Sequence, residues 1–185
     1  MNFDSKEELY FSFWLEELEQ AGYINSWNNA KTYQLGEKIV NKYTEQLKTK
    51  SKEKEQTILN GCEYTPDFEI NWNEKANNLF YTHITNGIKT NLDLLITDGE
   101  NISINTSIVE IKANFDNNNM TRLNGINRKW MYQKYSVFVN LVKVPDIFKD
   151  TFTPKKYLVT DTGKQIRLIH LQTRSLEEYI KLKTT

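Results

Sequence analysis

The chain has 185 residues, 38% of them hydrophobic and 26% charged, with 24 Lys and Arg against 24 Asp and Glu. That is length for one domain with a single sizeable core, and no apolar run approaches the ~18 residues that cross a bilayer. One cysteine, Cys62, excludes an internal disulfide, and two histidines beside it are too few for an expected zinc site.

The N-terminus carries early acids and no apolar signal core, so the expected location is cytoplasmic. Overall neutrality conceals a gradient. Residues 1–63 sum to −3, residues 64–110 to −5 and residues 111–185 to +8. Such asymmetry suits a polyanion partner beside a cation-binding acidic stretch.

Residues 5–21 predict a helix, with Ser5 or Asp4 as its cap, Glu7 and Glu8 in its first turn and Gly22 just past its end. Its apolar positions, from Leu9 to Leu18, cover more than a narrow stripe, so it should be largely buried. Between Lys31 and Tyr43, the residues Tyr33, Leu35, Ile39 and Tyr43 fit a period of two, which predicts a partly exposed strand. Residues 44–57 are polar with mixed charges and read as a solvated helix or a loop.

Residues 64–72, YTPDFEINW, predict a strand with Phe68, Ile70 and Trp72 on one face and Asp67, Glu69 and Asn71 on the other. Extended stretches follow at 79–84 and 92–97, then an Asp98-Gly99 turn and a strand over 102–113. A polar loop at 114–119 leads to a basic helix over 121–135 and a buried apolar strand over 136–144. Residues 156–160 and 165–171 are expected to pair across Thr162-Gly163, and a short helix to close the chain at 175–183.

The chemistry concentrates in the strand over 102–113. There Glu110 and Lys112 point to one face about 6.7 Å apart, while Val109, Ile111 and Ala113 point to the other. Taken alone, that is an ordinary ion pair at a strand end. Asp67, behind Pro66, supplies a second acid. Asp67 and Glu110 together would suit a magnesium ion, which takes oxygen donors and keeps several waters. Such a cation lowers the pKa of water and neutralises charge on a scissile phosphate. Lys112 is placed to orient that water or to stabilise developing negative charge. Asp93, in NLDLLITDG, is the alternative acid: closer to Glu110 in sequence but without the proline.

Pro66-Asp67 followed by Glu110-Ile111-Lys112 resembles the PD-(D/E)XK signature of restriction-endonuclease-like nucleases. The order of elements is similar too: a helix with an early glutamate, the PD strand, the EXK strand, a basic helix and a further strand. The opening FDSKEELYFSFWLEELEQAGYI and the segment YTPDF resemble small phage-borne members.

The resemblance covers roughly residues 3–144 of a single domain over 1–185, leaving 145–185 as a basic extension. It implies an α/β fold whose central mixed sheet is flanked by helices, with a hairpin inserted between the PD and EXK strands. It implies Asp67, Glu110 and the backbone carbonyl of Ile111 as metal ligands, and Lys112 as the catalytic lysine. Glu8 would ligate the metal or position water. The cofactor would be Mg2+, with Mn2+ as a substitute.

The implied activity is magnesium-dependent hydrolysis of DNA phosphodiesters by in-line attack of water, leaving a 5′-phosphate, in phage DNA processing. DNA and a second copy of the chain would be the partners, and no membrane is involved. On the basic helix, Arg122, Lys129 and Gln133 would contact nucleic acid. Arg128 and Lys134 read instead as a solvated face, and Trp130, Met131 and Tyr132 as packing residues. Lys155, Lys156, Lys164, Arg167, Arg174, Lys181 and Lys183 continue the positive charge and could hold phosphates. His83, His170 and Cys62 read as structural. The competing reading is a nucleic-acid-binding module that keeps the fold without catalysis.

Overall fold

The first helix, α1 (Lys6–Gln20), starts where its cap residue predicts. The Ser5 side chain accepts from the Glu8 N–H at 3.1 Å while the Glu8 carboxylate accepts from the Asp4 N–H at 2.9 Å and the Ser5 hydroxyl at 2.8 Å. At the far end Gly22 takes φ +73°. Its N–H reaches Glu19 O and the Tyr23 N–H reaches Leu18 O, both at 2.8 Å, the paired bonds that a left-handed residue after a helix allows.

The computed structural model describes residues 3–83, 94–96, 105–112, 119–159 and 173–184, with the side chains of 119–121 excepted. After α1 come β1 (Ile24–Asn29), β2 (Tyr33–Gly36), β3 (Ile39–Gln46), β4 (Ser51–Leu59), β5 (Cys62–Tyr64) and β6 (Phe68–Trp72). A short 3-10 turn, Glu74–Ala76, precedes β7 (Tyr81–His83), β8 (Leu94–Ile96) and β9 (Thr106–Ile111). Helix α2 (Asn119–Tyr135), β10 (Val139–Val142), α3 (Val144–Asp150) and α4 (Leu176–Thr184) complete the order, with a second 3-10 turn at Lys155–Leu158.

The chain is α/β with a mixed central sheet in the order β1-β6-β9-β10. The first two pairings are antiparallel and β9/β10 is parallel, so α2 supplies the crossover that a parallel pair requires. Strand alternation sorts the two faces. Phe68, Ile70, Trp72, Val109, Ile111 and Val142 join the larger core with Phe11, Trp14, Leu15 and Leu18 of α1. Ile108 and Val139 face the other way, into a smaller core with Met131 of α2, Tyr33 and Leu35 of β2, and Tyr64.

Trp14 lies at the centre of the larger core, stacked on Phe11 and Phe152 and edge-on to Trp72 and Phe80. Its ring N–H donates to the Thr151 hydroxyl at 3.0 Å, so the one polar atom it buries is satisfied. Ile147, Phe148 and Phe152, with Leu176 and Tyr179 of α4, also belong to this core, which therefore extends past residue 144.

Four expectations are corrected. The stretch 31–43 is two strands in different sheets, separated at Glu37 and Lys38. Residues 44–57 belong to a hairpin, β3 paired antiparallel with β4, and are neither helix nor loop. Between β6 and β9 the described strands are not a hairpin, since β7 and β8 pair in parallel.

The buried side chain of Asn140 helps hold β8 there. It accepts from the Leu95 N–H at 2.8 Å and donates to the carbonyls of Leu95 and Ile108, both at 3.0 Å, in the manner of a peptide group from a neighbouring strand. Finally, residues 155–158 form a 3-10 turn rather than a strand, and the hairpin expected across Thr162-Gly163 lies outside the described residues. Helix α3 has no counterpart in the sequence reading.

Candidate metal and nucleic-acid site

The site grows from the junction of β5, β6 and β9. Asp67 immediately precedes β6, held by its own backbone: its N–H donates to Val109 O at 3.0 Å and its carbonyl accepts from the Ala30 N–H at 3.2 Å. Its carboxylate then accepts from the Ile111 N–H at 2.6 Å, which ties it to the end of β9. Phe68 turns into the larger core, and Asp67, at the bend one residue earlier, sets its carboxylate against the end of β9. Glu110 stands between Val109 and Ile111 of the larger core. The two acids thus come together at the end of β9, where the charge of Glu110 is felt at Asp67.

Glu110 is surrounded by donors. Tyr64 donates its hydroxyl to one carboxylate oxygen at 3.0 Å, while Asn124 at 2.8 Å and Lys112 Nζ at 3.0 Å share the other. The Glu110 and Lys112 side chains are only 14% and 15% exposed, so their ion pair is largely shielded from water. The Lys112 N–H donates to Val142 O at 2.8 Å, fixing the residue against the end of β10.

Burial pushes the Asp67 carboxyl up to about 7; the charges of Glu110 and Glu8 push the same way, against the Ile111 N–H and Lys112. Tyr64 is likewise raised, first by burial and then by the Glu110 charge and hydrogen bond, so it remains a neutral phenol that donates. Several negative groups are therefore crowded into a partly desolvated space.

Glu8 keeps its capping contacts with Asp4 and Ser5, and its charge is felt at Asp67. On α2, Asn124, Arg128, Met131 and Tyr135 form the sheet-facing stripe. Asn124 and Met131 are buried, and Arg128 donates to Val139 O at 2.7 Å. Arg122, Lys129 and Gln133 are exposed on the remaining surface. Lys129 and Gln133 line a cavity of about 600 Å³ together with Arg128, Tyr132 and Phe138.

Trp130 and Tyr132, read from the sequence as packing residues, are 43% and 48% exposed, whereas Met131 is buried as expected. Arg128, read as solvated, is half-buried and lies within the field of Glu110. Asp93, His170, Lys164 and Arg167 lie outside the described residues. Tyr64 and Asn124 were not singled out by sequence. The motif begins two residues after Tyr64, and nothing in the polar helix marks Asn124.

Carboxylate and carbonyl oxygens such as these are the donor type a hard divalent cation takes. Among the described residues no three His, Cys, Asp or Glu side chains converge as a metal-holding group. Two carboxylates remain, with the Ile111 carbonyl beside them. Ile111's N–H points to the β6 edge, and in extended backbone the carbonyl of the same residue shares that edge. Magnesium accepts few protein oxygens and keeps several waters. Asn124 Oδ1 is buried with no hydrogen-bond partner, although the same amide donates to Glu110. An acceptor left without a donor here suits the water shell of a cation. The raised Asp67 has the same sense, since a cation would relieve the crowding of charge.

No protein-family model matches the chain, and no curated protein or solved structure matches it.

Proposed function

We propose that the chain is a divalent-metal-dependent DNA endonuclease of the restriction-endonuclease-like type, hydrolysing phosphodiester bonds. The observation that supports this most is the meeting of Asp67 and Glu110 at the end of β9, with Lys112 Nζ 3.0 Å from Glu110. Asp67, Glu110 and the Ile111 carbonyl would hold Mg2+ or Mn2+. Bound there, the ion would supply Lewis-acid charge and water of lowered pKa.

Lys112 brings a positive charge to the same point, where it can stabilise negative charge developing on a phosphate or orient the attacking water. Tyr64 and Asn124 hold the Glu110 carboxylate in one rotamer, which limits the reorganisation needed when substrate arrives. Arg128, Lys129 and Gln133 on α2 provide a neighbouring polar and cationic surface for the strand. Phage DNA processing is the setting this reading favours.

The test is cleavage of linear duplex, single-stranded and four-way-junction DNA, with Mg2+ or with EDTA. Wild type should cut at least one substrate only with the metal. Glu110→Ala and Lys112→Ala should each lower the rate by about 10²-fold or more. Inactivity of the wild type on every substrate, or full activity of Lys112→Ala, would overturn the proposal.

One observation favours the competing reading of a non-catalytic binding module. Both Glu110 oxygens already have protein donors. Binding of DNA without cutting in either Mg2+ or Mn2+ would select that reading.

A further inference from the structure

The β3–β4 hairpin stands apart from both cores. None of its strand residues is buried, and neither strand joins another sheet. An isolated two-stranded ribbon gains little stability from its own packing, so the core does not explain why the chain builds it.

Its charges are sorted. Cross-strand partners share a face, so Tyr43, Glu45, Lys52 and Lys54 lie on one side, and Lys42, Thr44, Glu53 and Glu55 on the other. Glu45 pairs with Lys54 at 2.5 Å and Lys42 with Glu55 at 3.1 Å. The turn adds Lys48 and Lys50, closed by the Leu47 N–H donating to Lys50 O at 2.8 Å. From Lys48 to Lys54 the chain carries four lysines against the single Glu53. A protein with no net charge has thus gathered positive charge at the tip and on one face of an element with no buried strand residue.

The base of the ribbon is tied to the acidic site. Its strands run into the β2–β5 ladder, where Tyr33 pairs with Tyr64 and Gln34 with Glu63. Tyr64 donates to Glu110, and Asp67 follows three residues later.

From this geometry we infer that the β3–β4 hairpin is an arm that grips duplex DNA beside the acidic site. A two-stranded ribbon fits the major groove. Strands of eight and nine residues extend about 25 Å, enough to follow roughly seven base pairs at ~3.4 Å each. Lys48, Lys50 and Lys52 would meet backbone phosphates, with Tyr43 on the same face as Lys52. This deepens the endonuclease reading and rests on it for the identity of the duplex as substrate.

The test is fluorescence anisotropy of a labelled 24-base-pair duplex with the full chain in EDTA, so that no cutting occurs, across a series of KCl concentrations. The triple variant Lys48→Ala/Lys50→Ala/Lys52→Ala should bind about tenfold or more weakly at ~100 mM salt, and its salt slope should fall by about 2–3. Its circular dichroism and Tm should match wild type, because those side chains are exposed. The control Lys181→Ala/Lys183→Ala, on α4, should leave the slope unchanged.

Absence of duplex binding by the wild type overturns the inference. So does an unchanged slope in the arm variant, or an equal loss in the control. Glu110→Gln separates the two proposals: cutting lost with arm-dependent binding kept supports both. A wild type that binds through the arm but never cuts defeats only the endonuclease reading.

Discussion

At the scale of single residues, Asp67 carries most of the chemistry. Its folded pKa of about 7 stands above the model-compound value of 3.8, because burial and two neighbouring carboxylates oppose its ionisation. The folded state therefore holds a proton that the unfolded chain has already released. Stability from protonated Asp67 is complete below the unfolded pKa and is lost as pH rises through about 7. Asp67→Asn cannot ionise and keeps an acceptor for the Ile111 N–H. In EDTA, its Tm relative to wild type should be more favourable at pH 8 than at pH 5, by several degrees, in a thermal-shift titration. Parallel pH profiles for the two proteins would remove Asp67 as the perturbed group. Asp67 and Glu110 were legible in sequence because a Pro-Asp pair opens one apolar strand and an acid two residues before a lysine interrupts another. Tyr64 and Asn124 were not, since only packing of β5 and α2 brings them to Glu110.

At the scale of elements, local signals succeed where chemistry is local. The α1 cap, its acidic first turn and its terminal glycine all act within a few residues, and the helix starts and stops as they predict. Gly22 gives the measurable case. A side chain there would have to adopt φ +73° and would meet Lys75 Nζ at 2.9 Å, where that lysine donates to Ala21 O. Gly22→Ala should destabilise the fold by about 1–2 kcal/mol, lowering Tm by roughly 2–8 °C in calorimetry. An unchanged Tm would show that the turn is not strained by a Cβ.

The β3–β4 hairpin was illegible for the opposite reason. Past Tyr43 its strand residues up to Thr57 are polar on both faces, so the period of two carried by Ile39 and Tyr43 breaks off, and the turn lacks an Asn-Gly or Asp-Gly signal. Helix α2 misled through its phase. The sheet-facing stripe runs through Asn124, Arg128 and Met131, so of the three residues read as packing only Met131 is buried, while Trp130 and Tyr132 fall beside the stripe and are exposed.

At the scale of the whole molecule, the neutral total resolves into local fields. The basic C-terminal third is partly offset by α1, where Glu16 pairs with Lys156 at 2.6 Å, and within the third Lys155 pairs with Glu177 of α4 at 3.6 Å. Concentrated positive charge remains on the hairpin tip, and concentrated negative charge at Asp67, Glu110 and Glu8. Two opposed fields on one small α/β body suit a substrate that is a polyanion and a cofactor that is a cation.

A metal-dependent nuclease of this kind requires Asp67 and Glu110 to act together as a cation site. Electron paramagnetic resonance of Mn2+ titrated into the protein at pH 8 counts free against bound ion without requiring DNA. The wild type should bind Mn2+ in competition with Mg2+, and both Asp67→Asn and Glu110→Gln should lose that binding by about tenfold or more, the scale of loss seen when a group supporting a metal is removed. Equal binding by all three proteins, or none by the wild type, would contradict such a site.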